Sequence, residues 1–391
     1  MLQMKSCPFC NRTYSDISLS YCLNDGSLLS APHVSDDFQQ NLYDETLVLE
    51  NEIQTIVSKS NTKSKTQLEV KLENDRIYFS ENFSVSFQRT LRIPDDGKKY
   101  PLPPGLGKFP ICKVSDYADK VPASWKQHGG VFIPMYQREA LWLDFDAAYW
   151  RPNAVKVAAG KINAVTGKSW NQNLSESEQD YMVCPPQKWL DGFKTGQGVV
   201  RQFIAMPLGR GYTVEEQLTG KDEFGGIQII VFEPKKGKFP DEEPEYTNPV
   251  LKRIEADGSE TEMGLAAGGK IEQKIYPDKH GIDTWDEDNF GRVYIHIVNS
   301  SMFRQITGTE APATPVTAET YTEFGLPWFE IYDEHLEDVS TGEELYTIKP
   351  VNLIDKMKGL FKQEDNLSIL IPNNQVKKIK TKSDKIDDGE W

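Results

Sequence analysis

The stretch GQGVVRQFIAMPLGRGYTVEEQLTGKDEFGGIQIIVFEP, residues 196–234, decides the fold class. Residues 199–206 are apolar and β-branched around a single Arg201, and residues 226–232 read GIQIIVF between glycine and Glu-Pro, so both segments predict strands of a well-buried sheet. Between them Thr213, Glu216 and Gly220 have the spacing of a capping box closed by a C-terminal glycine, which predicts one or two turns of helix. The crossing carries Arg201, Glu215, Glu216 and Gln217. These side chains fit either a structural crossover with solvated acids or the lip of a ligand pocket. Neither glycine cluster makes a phosphate loop: Gly209 and Gly211 lack a third glycine, and no glycine run ends in Gly-Lys-Ser/Thr.

Outward from this centre the same period-two pattern recurs. Leu68, Val70 and Leu72 alternate with Glu69, Lys71 and Glu73, and Val85, Phe87, Leu91 and Ile93 continue the alternation. Residues 101–110, PLPPGLGKFP, are too rich in proline for helix or central strand and read as a rigid surface strap. Leu141, Leu143 and Phe145 alternate with Trp142, Asp144 and Asp146, which places Asp144 and Asp146 on one face of a strand. Trp142, Trp150 and Asn153 suit a sugar platform, although tryptophan in a β-rich chain is more often core. Later strands are expected at 271–276 and 293–298, with His296 a hydrogen-bonded wall residue and the acids at 283–288 a solvated loop. A long charged excursion is expected at 234–263. Helices are expected at 317–324 and 352–361, an aromatic strand at 326–334 and a further strand at 367–371.

The chain has 391 residues, 38% of them hydrophobic and 11% aromatic, enough to build a substantial core. Asp and Glu number 59 against 44 Lys and Arg, and a formal charge of −15 opposes nucleic-acid binding by counterion release unless basic groups are locally concentrated. No apolar run is long enough to cross a bilayer, and no secretory h-region follows the first lysine, so a cytoplasmic protein without membrane insertion is expected. The five cysteines are an odd count and three lie within the first 22 residues, which favours metal over a disulfide framework.

Residues 5–29 hold Cys7, Pro8, Cys10 and Tyr14, followed by Cys22, Asp25 and Gly26. This arrangement resembles the short bacterial zinc-ribbon modules built from a Cys-Pro-x-Cys knuckle and a Cys-x-x-Asp-Gly second knuckle. The resemblance implies a structural zinc on Cys7, Cys10 and Cys22, with Asp25 or His33 as fourth ligand. Farther on, RTLRIPDD, YPLPPGLGKFP, AVKVAAGKINAVTG, QDYMVCPPQKWLDGF, RQFIAMPLGRGYTVEEQLTG, MGLAAGG and TYTEFGLPWFEIY together resemble an uncharacterised family found in bacteria and fungi. That resemblance implies a discrete module and no particular chemistry.

The sequence therefore predicts a mainly β or α+β protein with a sandwich-like body. A zinc ribbon occupies residues 1–30, a linker 31–67, the body 68–339 and a C-terminal extension 340–391. The expected function is a non-enzymatic binding or assembly protein with a protein partner or a second copy of itself. Two alternatives stand beside it. One is a carbohydrate-directed hydrolase that pairs carboxylates among Asp144, Asp146, Glu215 and Glu216, and the other is a lectin-like module using Trp142, Trp150 and Asn153.

Overall fold

The structure, a computed structural model, describes residues 5–6, 13–14, 66–175, 177–242, 262–313, 317–332, 336–360 and 368–380. The chain divides into two units, Met1–Ser64 and Lys65–Trp391. In the first, Lys5–Ser6 pairs antiparallel with Thr13–Tyr14. Cys7, Cys10, Cys22 and Asp25 lie outside the described residues, as do most of the expected linker and residues 243–261 of the charged excursion.

Seven long strands organise the second unit: β1 Phe83–Thr90, β2 Ala140–Ala147, β3 Asn153–Ala159, β4 Val199–Pro207, β5 Ile227–Pro234, β6 Glu262–Glu272 and β7 Trp285–Val298. The antiparallel neighbours run β1, β2, β4, β6, β7, β5, β3. Thr66–Gln67 lies parallel beside β7, and the chain then passes through Lys71–Glu73 and Arg76–Tyr78 to pair with β1. The sheet thus returns to its own edge and closes as a barrel. The β-rich body expected from the sequence is present, and its core is enclosed by one sheet wrapped around itself.

Strand alternation fills that core. Val85 and Phe87, Leu141, Leu143 and Phe145, Val155 and Val157, Ile227, Ile229 and Val231, and Ile295 and Ile297 all point into one buried cluster. Much of the outer face is covered too. Among the described residues six helices, α1 Ala123–His128, α2 Val214–Thr219, α3 Ser300–Thr307, α4 Ala318–Glu323, α5 Glu343–Tyr346 and α6 Val351–Met357, flank the sheet. Ile204, Met206 and Ala266 bury against Val351 and Ile354 of α6, and Phe132 and Val298 bury against Trp125 of α1 and Phe303 of α3. Double burial explains why β4 and β5 read as near-continuous apolar runs. Residues from 340 onward, expected as an extension, contribute Leu345 and Ile348 to the central core.

Three local expectations change. The acidic run at 283–288 is not a loop, because Trp285 is buried and its Nε1 donates to Asp278 Oδ2 at 2.8 Å, which fixes the chain as the start of β7. The strand expected at 271–276 instead runs Glu262–Glu272 as β6 and takes in the glycine-rich MGLAAGG, where a Cβ on Gly268 would come within 2.6 Å of Ile204 and one on Gly269 within 2.3 Å of the Pro94 carbonyl. Near the C-terminus the strand is Val376–Lys380 rather than 367–371: VKKIK runs parallel to Trp328–Tyr332 and takes its free edge.

Candidate functional site

A cavity of about 790 Å³ opens beside β7 where the strand leaves Thr66–Gln67 and has not yet met Val131–Pro134. Its lining is one-sided in charge. Four lysines, Lys71, Lys113, Lys126 and Lys161, line it with Arg292 and His128, and among the described residues no aspartate or glutamate does. In a chain of net charge −15 this is the local concentration of basic groups that the composition conceals. The amides of Gln127, Gln172 and Gln228 supply neutral hydrogen-bonding groups.

Local sequence places each of these groups. α1 ends at His128 because Gly129 takes φ 63° and returns its N–H to the Trp125 carbonyl at 2.7 Å. Gly130 must be glycine, since a Cβ there would lie 2.1 Å from the Tyr294 carbonyl oxygen. The Gly-Gly pair therefore brings His128 down onto β7, where its ring stacks on Tyr294 at 4.9 Å. Tyr294 stacks in turn on His296 at 4.5 Å, and His296 on Trp125 at 4.5 Å. Lys161 occupies a tight turn after β3 with φ 57°, its N–H held by Gln228 Oε1 at 2.7 Å and its Nζ 4.4 Å from the Phe224 ring centroid. Arg292 donates to Gln172 Oε1 at 2.7 Å, and Lys71 is shared with Glu69 at 2.9 Å.

Burial, and then the Lys161 charge, holds the His128 ring below its ordinary pKa. His296 is displaced further, down to about 4, chiefly by burial. Its neutral ring donates from Nε2 to the Gly129 carbonyl at 3.0 Å, so it serves as the wall expected of it. What the cleft offers chemically is concentrated positive charge, a stacked aromatic wall and one titratable imidazole at the rim.

The residues singled out from the sequence are distributed differently. Arg201 bonds Asp95 Oδ1 at 3.1 Å and the Gly268 carbonyl at 3.0 Å. Glu215 is buried and accepts the amides of Glu223, Phe224 and Gly225, each at 2.8 Å. Glu216 takes the Gly211 amide, while Gln217 bonds the Tyr212 carbonyl and both backbone groups of Lys349. None of the four lines a cavity described here; they tie the crossing between β4 and β5 to the barrel. Asp144 is held by Arg76 at 2.5 Å and by Ser86 at 3.0 Å, with Asp146 3.8 Å from the same guanidinium. Asp144 and Asp146 thus share one guanidinium, while Glu215 and Glu216 accept backbone amides on the crossing. Trp142 lines a smaller aromatic pocket, and neither Trp150 nor Asn153 is among the described residues that line it.

The basic cleft escapes sequence inspection because its cations come from segments far apart in the chain, with no local run of lysines. The one local signal is His-Gly-Gly at 128–130. Comparison of the chain with protein-family models, curated proteins and solved structures gives no match.

Proposed function

We propose that this is a non-enzymatic binding protein whose barrel takes a small phosphorylated ligand in the basic cleft. The observation that carries the reading is the lining itself, five lysine and arginine side chains and, among the described residues, no carboxylate lining one cavity of a strongly acidic chain. A cavity of about 790 Å³ lies in the size range of small-molecule sites, roughly 300–1,000 Å³. Phosphate oxygens suit lysine point charges and arginine, and the His128 and Tyr294 rings offer a stacking face to a planar group on the same ligand. The N-terminal cysteines belong to the same proposal as a structural zinc module for contact with a protein partner, one zinc per chain on Cys7, Cys10 and Cys22 with Asp25 or His33 as the fourth ligand.

The test is calorimetric titration of the full chain with inorganic phosphate, pyrophosphate and ATP at about 50 and about 300 mM salt, where screening of exposed charge differs strongly. Saturable binding that tightens with phosphate number and weakens at high salt is expected, with a loss of about tenfold or more in a Lys126→Gln/Lys161→Gln variant that keeps its thermal midpoint. Absence of binding to all three, or binding indifferent to that double variant, would overturn it. Native mass spectrometry of the same preparation with and without chelator counts zinc and subunits.

A further inference from the structure

On the opposite side of β2 from the core is a second, much smaller pocket of about 170 Å³. Its walls are Trp142, Trp189, Phe329, Leu102 and the Pro103-Pro104 strap, and Asp191 is the one charged residue among the described residues that line it. The ladder between β2 and Trp189–Leu190 pairs Leu143 with Leu190 and Asp144 with Trp189. One further step in that register sets Trp142 opposite Asp191 on the outer face. Backbone on both sides fixes Asp191: its N–H donates to Gln273 Oε1 at 3.0 Å and its carbonyl accepts from Phe203 at 3.0 Å. Leu102 and Phe329 exchange two backbone hydrogen bonds, at 2.8 and 3.0 Å, and so join the strap to Trp328–Tyr332 across the pocket.

Two polar atoms here lack partners. Asp191 is only 2% exposed, and its Oδ2 is buried without a hydrogen-bond partner; Trp142 Nε1 is buried and equally unpartnered. The Trp189 indole hydrogen-bonds the Asp191 carboxylate, but Oδ2 and Trp142 Nε1 remain, an acceptor and a donor in one aromatic pocket, each with a desolvation penalty that no partner among the described residues offsets. No lysine or arginine among the described residues lines the pocket to neutralise the carboxylate. The surrounding faces, two indoles and a phenyl ring, are the surface that attracts an alkylated ammonium group.

We infer that this pocket binds a small alkylammonium alcohol of the choline type, its cationic head against Trp142, Trp189, Phe329 and Asp191 and its hydroxyl oxygen accepting from Trp142 Nε1. Both orphaned atoms are then satisfied by one ligand, the carboxylate by charge and the indole N–H by an acceptor. The pocket has room for the head and a short arm only. Burial raises the Asp191 carboxyl to about 7, so the acid ionises across neutral pH and a cation binds better as pH rises from about 6 to about 8.

The experiment is titration of the full chain, followed by tryptophan fluorescence and calorimetry, with choline, tetramethylammonium and the uncharged isostere 3,3-dimethylbutan-1-ol, each to about 10 mM. Choline is expected to bind at least about tenfold more tightly than the isostere, since the shapes match and only the charge differs. Asp191→Asn, which keeps the side-chain volume, removes that preference and the pH dependence. Trp142→Phe, which deletes the N–H and keeps an aromatic face, makes choline and tetramethylammonium equal. Equal binding of choline and isostere, no response to choline, or sedimentation with phosphatidylcholine vesicles in the absence of a response to free choline would each overturn the assignment.

Discussion

At the scale of single residues, the cleft's imidazole, His128, and the buried His296 behind it respond to pH in separable ways. His128 sits at the rim with its pKa held down by burial and by Lys161, so an anion in the cleft draws a proton onto it. Phosphate affinity is accordingly expected to rise as pH falls from about 7.5 to about 5.5, and a His128→Asn variant to lose that slope in titrations at matched ionic strength. His296 reports on folding instead. The unfolded chain takes this proton near pH 6.5 and the folded protein not until about 4, so on acidification the unfolded state gains protons first and stability falls across that window. The loss amounts to on the order of 3 kcal/mol. Asp191 works in the opposite sense: its folded carboxyl binds a proton near 7, above the unfolded value, and the stability that protonation supports is lost as pH rises through 7. Comparing urea midpoints of the wild type with His296→Gln, whose amide can still donate to Gly129, isolates the histidine: the variant should lose markedly less stability between pH 6.5 and 4.

At the scale of elements, the crossing between β4 and β5 shows what was legible and what was not. Thr213, Glu216 and Gly220 form the expected helix end to end: Thr213 Oγ accepts the Glu216 amide at 3.0 Å and Gly220 takes φ 79°. The reciprocal half of the capping box is different, because the Glu216 carboxylate turns to the Gly211 amide, a partner that the tight turn before the helix presents. Local spacing reveals caps and strand periods since these depend on neighbours in sequence. It does not reveal that Asp144 meets Arg76, or that Lys113, Lys126, Lys161 and Arg292 converge, because those encounters depend on strand order. Trp142 was the exception among candidate binding residues, since its outward position follows from the inward Leu141 and Leu143. Its partners Trp189 and Asp191 required the pairing of β2 with Trp189–Leu190. A Thr213→Ala substitution removes the cap without touching either cavity, and an expected loss of about 1 kcal/mol in chemical denaturation, with phosphate and choline titrations unchanged, would separate the helix's structural role from binding.

At the scale of the whole barrel, buried ion pairs join late chain segments to early strands. Lys194, in the strand Gly192–Gly196 beside β4, is fully buried and meets Asp338 Oδ2 at 2.6 Å. Asp338 also accepts the amides of Gly198 and Ile275, at 2.5 and 2.8 Å, so one carboxylate pins the residues around 338 to two strand ends. Burial lowers the Lys194 pKa while Asp338 raises it, which makes each charge dependent on the other for its place in the core. An Asp338→Ala variant leaves the ammonium buried and unpaired, and a loss of about 3–5 kcal/mol is expected. Lys194→Met/Asp338→Ala removes both charges and should recover part of that loss, leaving the deficit of the two freed amides. Because Leu345 and Ile348 enter the central core just downstream, the single variant should also expose residues 336–360 to limited proteolysis before the barrel itself unfolds. Cleavage there at wild-type rates, or a double variant no more stable than the single one, would mean that the apolar contacts of Leu345 and Ile348 suffice to hold the segment and that the ion pair contributes little to its docking.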